Sequence, residues 1–205
     1  MPARRPKPSP RRTPKQSRSR QTIDAILQAV VKILKRDGVD AVTTNRIAEV
    51  AGVSIGSVYQ YFPDKRAIFL ALHDRHAEQI GRLIDATVVG HAGAPLEKII
   101  RALLEALIDA HAPDPELYAL LDAEVPHRAA GAQSLQVRLG NALRLALGAH
   151  REKSESPRDL ERTLFVVTHM IDALSHAVVL DRAHQLSAPA AKEEAVKAVM
   201  AYLRS

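Results

Sequence analysis

Residues 43–62 read Thr-Thr-Asn-Arg-Ile-Ala-Glu-Val-Ala-Gly-Val-Ser-Ile-Gly-Ser-Val-Tyr-Gln-Tyr-Phe. The apolar spacing of this segment predicts two short helices, Asn45–Ala51 and Ile55–Phe62, separated by a turn. Gly52 begins the turn, where a residue without a Cβ can adopt a positive φ at no steric cost. Two short helices joined in this way form a helix-turn-helix arrangement.

Side chains at both helix starts and on one helix face support this prediction. Thr44 and Ser54 are expected to act as N-caps, since a hydroxyl oxygen accepts a hydrogen bond from an amide of the first helical turn. Val53, just before the second cap, can pack on Val58. Val58 and Phe62 are four residues apart and therefore form the inward face of the second helix.

The outward face of the second helix is polar and aromatic. At about 100° per residue, Gln60 points directly away from the inward face. Gly56 and Ser57 flank it, while Tyr59 and Tyr61 leave from the two shoulders of the helix. Such a helix can present its glutamine to base edges in a major groove, and its tyrosines can reach phosphates on either side.

Helical periodicity continues on both sides of this segment, and no stretch shows the alternation of a strand. An apolar stripe over residues 23–34 predicts a first helix that ends at Gly38, and Asp64 can cap a long fourth helix. Proline and glycine clusters divide the remainder into further helices. The sequence predicts an all-α fold of about nine helices, in which an N-terminal three-helix domain contains the helix-turn-helix and a C-terminal helical domain follows.

The chain has 205 residues, no cysteine and a formal net charge of +6. The absence of cysteine excludes disulfides and thiolate metal sites. Residues 1–20 hold eight basic and no acidic side chains, so the other residues carry 21 basic against 23 acidic ones. Prolines and like charges predict a disordered basic tail over residues 1–19. This tail either keeps the protein in solution or binds phosphates, and both interpretations stay open.

Residues 20–75 resemble the N-terminal domain of the TetR family of bacterial transcriptional regulators. The matching positions are Ile26, Gly38, Thr43, Thr44, Ile47, Ala48, Ala51, Gly52, Val53, Ser54, Gly56, Tyr59, Tyr61, Phe62 and Lys65. The resemblance implies an all-α homodimer in which residues 20–66 bind a palindromic operator in double-stranded DNA. Residues 67–205 would then bind an unknown small-molecule effector and supply the dimer contact.

The resemblance also implies which residues contact DNA. Members of the family use positions that this sequence fills with Thr44, Asn45, Ser54, Gly56, Ser57, Tyr59, Gln60, Tyr61 and Lys65. Lys65 adds positive charge at the start of the long fourth helix, where backbone amides also attract phosphates. The C-terminal region varies widely within the family, so the resemblance assigns no effector-binding residues.

Two apolar helices near the C-terminus predict an interface between subunits. Residues 160–178 are apolar nearly all round, which calls for burial, and residues 191–203 carry a second apolar stripe. Two such helices from each subunit would form a four-helix interface about a two-fold axis. Polar side chains of this half are candidates for the effector site: His111, Tyr118, His127, Arg138, Asn141 and His169. His73 and His76, in contrast, are expected at the surface.

Two further motifs suggest other chemistry. Residues 52–56 match the G-x-S-x-G pattern of a hydrolase with Ser54 as nucleophile, but that motif needs a preceding strand within a parallel sheet. His169, Asp172 and His176 share a helix face and could ligate zinc or iron, although histidines on apolar helices more often hydrogen-bond within the protein. We therefore predict no catalytic residue, no metal and no cofactor.

No apolar run predicts a signal peptide or a membrane span, so the expected location is the cytoplasm and no membrane partner is predicted. The sequence predicts a DNA-binding regulator, specifically a repressor that a small-molecule effector releases from a palindromic operator. The alternative is a DNA-binding regulator that responds to no small molecule.

Overall fold

The computed structural model describes residues 14–125, 130–150, 157–180 and 186–204. Within those ranges the regular structure consists of nine α-helices and a short 3-10 helix, Val39–Ala41. The α-helices are α1 Pro14–Asp37, α2 Thr44–Ala51, α3 Ile55–Tyr61, α4 Lys65–Gly90, α5 Leu96–His111, α6 Pro115–Glu124, α7 Ala130–His150, α8 Pro157–Leu180 and α9 Ala188–Arg204. The predicted all-α fold with an N-terminal helix-turn-helix is confirmed.

Two compact units divide the chain between Ile68 and Phe69, within α4. In the first unit α1 packs against α2, and α2 packs against α3. Ile26, Ile47 and Val58 have no exposed surface, so the three helices share one apolar core. Burying a side chain of this size stabilises the unit by roughly 1.5–3 kcal/mol relative to leaving it in water.

Helix α1 begins at Pro14, whereas the predicted tail extends to residue 19. Proline suits the first position of a helix, because the amide that it lacks would have no partner there. Residues 15–20 contain neither glycine nor a further proline to interrupt the helix. Residues 14–19 are therefore helical, and residues 1–13 of the predicted tail lie outside the described residues.

The N-cap of α2 is Thr43, not Thr44 as predicted. The Thr43 side chain accepts a hydrogen bond from the amide of Arg46 at 3.2 Å, and Thr44 is already helical. Both threonines carry the hydroxyl that capping requires, so the sequence does not separate the two positions. Ser54 caps α3 as predicted, because its hydroxyl accepts a hydrogen bond from the amide of Ser57 at 3.0 Å.

The second unit is built around α5, α7, α8 and α9. Apolar residues of α5 recur at three- and four-residue spacing, and all are buried: Ile99, Ile100, Leu103, Leu104, Leu107 and Ile108. Leu143 of α7, Val167 of α8 and Val199 of α9 belong to the same buried cluster. One continuous aliphatic core therefore holds these helices together.

Within the single chain, helix α8 is buried on one face only, so the predicted burial of its other face by a second subunit stays a prediction. Val167 and Ile171 are buried, but Phe165 is 65% exposed. The exposed line continues from Phe165 at four-residue spacing through His169, Ala173 and Ala177. Asp159–Leu180 is long and apolar enough to cross a membrane by length and composition, a property that it shares with core helices of soluble proteins.

Candidate nucleic-acid interface and buried polar cluster

The inner and outer faces of α3 differ sharply in exposure. Val58 is fully buried and Phe62 is 7% exposed, so these two side chains pack α3 against the rest of the first unit. Tyr59 is 51% exposed, and Gln60 is exposed beside it. The outward direction predicted for Gln60 is therefore observed, and its amide is free to approach a ligand without any change in the core.

The turn before α3 is fixed by local hydrogen bonds. Gly52 adopts φ 67°, the left-handed conformation predicted for it, and its amide donates to the carbonyl of Glu49 at 3.1 Å. The hydroxyls of Ser54 and Ser57 lie 2.8 Å apart at the start of α3. A Cβ at Gly56 would meet only the Ser54 hydroxyl, at 3.8 Å, so the backbone there is open to close approach.

The first residues of α2 lie beside α3. The Thr44 hydroxyl is 3.4 Å from the hydroxyl of Tyr59, and Asn45 is exposed next to it. The structure thus brings Thr44, Asn45 and Tyr59 to one surface, as expected if these residues share one ligand.

Tyr61 is placed differently from Tyr59. It is half-buried, and its hydroxyl donates a hydrogen bond to the Ser19 hydroxyl of α1 at 3.3 Å. A phenol has a single hydrogen to donate, so Tyr61 can donate to a phosphate only after leaving Ser19. The bond also places the first turns of α1 at the C-terminal end of α3, a proximity that the sequence did not suggest.

Arg46, the one basic residue of α2, forms ion pairs with acidic neighbours. Nη1 of Arg46 lies 2.6 Å from a carboxylate oxygen of Glu49, and its Nη2 lies 3.5 Å from Asp37. The hydrogen bond from Arg36 lowers the pKa of Asp37, whose carboxylate therefore keeps its charge. Arg46 is consequently held by carboxylates, and the side chains that the α2–α3 surface offers are mainly neutral.

Basic side chains lie at the margins of this surface instead. Lys65 is exposed at the start of α4, and Arg18 and Arg20 are exposed in the first turns of α1. The Asp64 carboxylate accepts a hydrogen bond from the amide of Ala67 at 2.7 Å, which confirms the predicted cap of α4. Positive charge from two helices therefore flanks a neutral polar centre.

In the second unit, two of the effector candidates belong to one partly buried polar cluster, which we call the imidazole cluster: His76 of α4, His111 of α5, Tyr118 of α6 and His176 of α8. The ring centroids of His111 and Tyr118 are 4.1 Å apart, and those of His76 and His111 are 5.0 Å apart. The Tyr118 hydroxyl contacts Nε2 of His176. The sequence had suggested His111 and Tyr118 but had placed His76 at the surface, which is wrong.

Burial controls the charge of the imidazole cluster. Desolvation, aided by neighbouring imidazoles, lowers the pKa of His76 and of His111 to about 4. Both rings are therefore neutral at physiological pH. Nε2 of His76 is buried and finds no hydrogen-bond partner in the described part of the chain.

The other effector candidates lie elsewhere. Arg138 of α7 forms ion pairs with Glu78 at 3.0 Å and with Asp85 at 3.5 Å. Asn141 and His169 are exposed, and His127 lies outside the described residues. The structure therefore does not gather Arg138, Asn141 and His169 with His111 and Tyr118.

The two alternative chemistries that the sequence suggested, a metal site and a hydrolase, find no support in the described residues. His176 approaches Asp172 at 3.4 Å, but His169 hydrogen-bonds the carbonyl of Phe165, and no group of three His, Asp or Glu side chains there is placed to hold a metal. Ser54 precedes a helix in a region without a described strand, so the sheet that a hydrolase nucleophile needs is missing there.

Comparison with known proteins covers both units. A sequence model described as "Bacterial regulatory proteins, tetR family" matches residues 26–72, and one described as "Tetracyclin repressor-like, C-terminal domain" matches residues 95–203. A TetR-family transcriptional regulator from Streptomyces coelicolor has the same fold, with a TM-score of 0.62 and 24% identity over 89% of this chain and 98% of that one.

Curated relatives match over part of the chain. Nucleoid occlusion factor SlmA of Actinobacillus pleuropneumoniae is 31% identical over 103 residues, which cover 47% of each protein. The HTH-type transcriptional repressor KstR of Mycolicibacterium smegmatis is 31% identical over 74 residues, or 36% of each protein. The chain thus spans about half the length of the first of these relatives and about a third of the second.

Proposed function

The chain belongs to the TetR family of bacterial transcriptional regulators, and from this premise we propose a repressor that leaves a palindromic operator when a small molecule binds. Residues 20–66 bind DNA in this proposal, and residues 67–205 bind the effector and the second subunit. The protein acts in the cytoplasm and catalyses no reaction. The observation that carries the proposal is the exposed polar face of α3, which an entirely apolar inner face holds in place.

Base recognition is assigned to the centre of that face. The Gln60 amide can donate and accept at once, so it can pair with the N6 and N7 positions of adenine in the major groove. Gly56 allows the helix backbone to come close to the bases, because the space over its Cα is open. Thr44, Asn45, Ser54, Ser57, Tyr59, Tyr61 and Lys65 complete the proposed contact set.

Phosphate contacts fix the register of the helix but carry little sequence information. Tyr59, Lys65 and the start of α1 supply them in this proposal. Because Tyr61 donates its hydroxyl hydrogen to Ser19, it contributes by holding α1 against α3 unless that bond opens on binding.

A second copy of the chain is proposed to cover the exposed face of α8. Phe165 has 65% of its surface in water, and the side chains that continue its line are an imidazole and two alanines. A two-fold dimer uses the same patch on both subunits, so this face would meet its own copy. Half-sites about one helical turn apart, or a multiple of it, would follow.

Effector release requires that ligand and operator favour different conformers of the protein. Helix α4 is suited to couple the two events, because its first residues belong to the first unit and His76 belongs to the imidazole cluster of the second.

The test compares Gln60→Ala with Gln79→Ala, a matched change at an exposed glutamine of α4 in the second unit. Operators are first selected from a random duplex pool with the full-length protein, and affinities for single-base variants are then measured. We expect Gln60→Ala to lose about 1–3 kcal/mol of discrimination at one position in each half-site. Gln79→Ala should match the unmodified protein at every position.

Two results would contradict the proposal. Unchanged base preference in Gln60→Ala would remove the assigned role of Gln60. A selection that enriches no sequence would contradict specific DNA binding altogether.

A further inference from the structure

We propose that the imidazole cluster binds the acidic head group of a weak organic acid with an apolar body, and that this class of molecule is the effector. The inference rests on the proposed function, because it assigns the effector and its site. It names four side chains as the head-group site: His76, His111, Tyr118 and His176.

The four side chains come from four different helices and lie in contact. His111 and His176 have ring centroids 6.0 Å apart, and Tyr118 contacts both, 4.1 Å from His111 and 4.9 Å from His176. Four helices of an aliphatic unit thus direct hydrogen-bonding rings toward one point. A buried ring nitrogen that has no hydrogen-bond partner costs free energy, and a polar ligand would remove that cost.

Two ring nitrogens are available to that partner. Nδ1 of His111 donates to the carbonyl of Leu107 at 2.6 Å, so in the neutral ring Nε2 is the unprotonated nitrogen. Nε2 of His76 is buried and has no hydrogen-bond partner in the described residues. A carboxyl group can donate to one such nitrogen and accept from another group at the same time, which fits this pair.

Burial and the neighbouring imidazoles keep both histidines neutral, whereas the Asp114 carboxylate favours protonation of His76. The groups that act on them are His73 of α4, Asp114 before α6 and His176 of α8, and burial keeps the pKa of His76 and His111 well below 7. Asp172, the nearest carboxylate of α8, is already paired with His176 at 3.4 Å. A bound carboxylate would supply the missing counter-charge.

Proton uptake follows from this arrangement. The acid is ionised in water at neutral pH, and the two imidazoles are neutral. On binding, one proton from solvent moves onto an imidazole nitrogen, and an imidazolium–carboxylate pair forms without any covalent change. The complex therefore holds one proton more than its separated components.

Aliphatic side chains border the imidazole cluster on α5. Leu107 and Leu104 precede His111 on the same face of the helix, and both are buried in the aliphatic cluster. A chain or ring attached to the carboxyl group would have to part these side chains and pack among them.

The experiment titrates full-length protein with octanoate and benzoate, and with 1-octanol and octylamine as neutral and cationic counterparts. Calorimetry in two buffers of different ionisation enthalpy counts the protons taken up. We expect at least one of the two acids to bind with an uptake of about one proton, and its affinity to fall about tenfold from pH 6 to pH 7. Octanol should show no such pH dependence, and octylamine should not bind.

Three variants locate the site. His76→Gln and His111→Gln keep a polar side chain of similar size that cannot be protonated, so each should weaken acid binding and reduce its pH dependence. His91→Gln is the matched control, since His91 also hydrogen-bonds a carbonyl, that of Thr87 at 2.8 Å, but lies outside the imidazole cluster. The control should bind the acid as the unmodified protein does.

The inference is overturned if neither acid binds, or if octanol binds as well as octanoate with no proton uptake. It is also overturned if octylamine binds more tightly than the acids, or if His91→Gln loses as much affinity for the acid as His76→Gln. Proton counting on the unmodified protein keeps the test valid if a variant does not fold. Operator binding is measured on the same samples. If it is specific while both acids fail, the inference is wrong and the DNA-binding role stands; if it is absent, the proposed function itself fails.

Discussion

The two units of the molecule place their polar side chains in opposite directions. The first unit has only apolar side chains among its described buried residues, and it turns Tyr59 and Gln60 outward. The buried polar side chains of the described chain, His111, Thr168 and Ser175, all belong to the second unit. In the first unit, the core and the proposed DNA contacts therefore lie on separate faces, whereas in the second unit polar side chains lie within the interior itself.

The strongest test of this contrast is a charge in the core of the first unit. Val58→Asp puts a carboxylate at a position with no exposed surface, where it finds no water, and should cost at least about 3 kcal/mol. Circular dichroism and limited proteolysis should show α1–α3 unfolded. Gln60→Asp, two residues away on the outer face, should leave the helices intact. A folded, protease-resistant Val58→Asp protein would contradict the separation of faces.

Acid should destabilise the second unit through its buried imidazoles. Because burial lowers the pKa of His76 and His111 from 6.5 to about 4, the unfolded chain binds protons that the folded protein does not. The free energy of unfolding is therefore highest above about pH 6.5 and decreases as the pH falls toward 4. At about pH 5 each of the two histidines lowers it by about 2 kcal/mol.

Urea unfolding at several pH values measures this loss. His76→Gln should show a shallower decline than the unmodified protein, while the exposed His169→Gln should show the same decline. Equal slopes in all three proteins would mean that the imidazoles are not held neutral by burial.

A smaller effect is expected from the cap of α3. Ser54→Ala removes the side-chain acceptor for the Ser57 amide and should cost about 1 kcal/mol, within the first unit only. Ser57→Ala loses only the hydroxyl contact between the two serines and should cost less. If the two variants lose equal stability, the hydroxyl pair and not the cap stabilises the turn.

The smallest effect is expected at Gly81, a buried position of α4 in the second unit. A Cβ there would lie 2.6 Å from Nη1 of Arg138, so Gly81→Ala must displace that side chain from Glu78 and Asp85. Partly exposed ion pairs contribute about 0–1 kcal/mol each, and alanine in a helix gains about 1 kcal/mol over glycine. We expect a net change within about 1 kcal/mol of zero.

Gly140→Ala is the matched control for this change, since a Cβ there meets only the Thr168 hydroxyl at 3.8 Å. It should be stabilising by about 1 kcal/mol in the same urea titration. A loss of more than about 2 kcal/mol in Gly81→Ala would show that the Arg138 ion pairs matter far more than exposed pairs usually do.

Features that depend on residues close together in the sequence could be predicted, whereas features that depend on distant residues could not. The turn at Gly52 and the cap at Ser54 depend on neighbours within a few residues, and both were predicted correctly. The α2 cap was misplaced by one residue, because Thr43 and Thr44 have the same side chain. Local patterns therefore predict where α3 begins and that Gln60 points outward.

Long-range contacts were harder to anticipate. Tyr118 and His176 are 58 residues apart, and nothing near His76 indicates that it joins them. The apolar sequence of α8 does not distinguish a side chain that faces the core, such as Val167, from one that faces outward, such as Phe165. The imidazole cluster and the outward face of α8 both depend on which helices pack together. The periodicity within one helix does not carry that information.

The four tyrosines are intrinsic fluorophores that lie in different regions of the molecule. Tyr59 and Tyr61 belong to α3, whereas Tyr118 and Tyr202 belong to α6 and α9. The chain contains no tryptophan, so tyrosine emission is neither quenched by energy transfer to an indole nor hidden by tryptophan emission. The Tyr118 hydroxyl touches an imidazole, which accepts protons from an excited phenol and quenches it, while half of the Tyr59 surface is in water. Unlabelled protein can thus report through separate fluorophores when DNA covers α3 and when a molecule separates Tyr118 from His176.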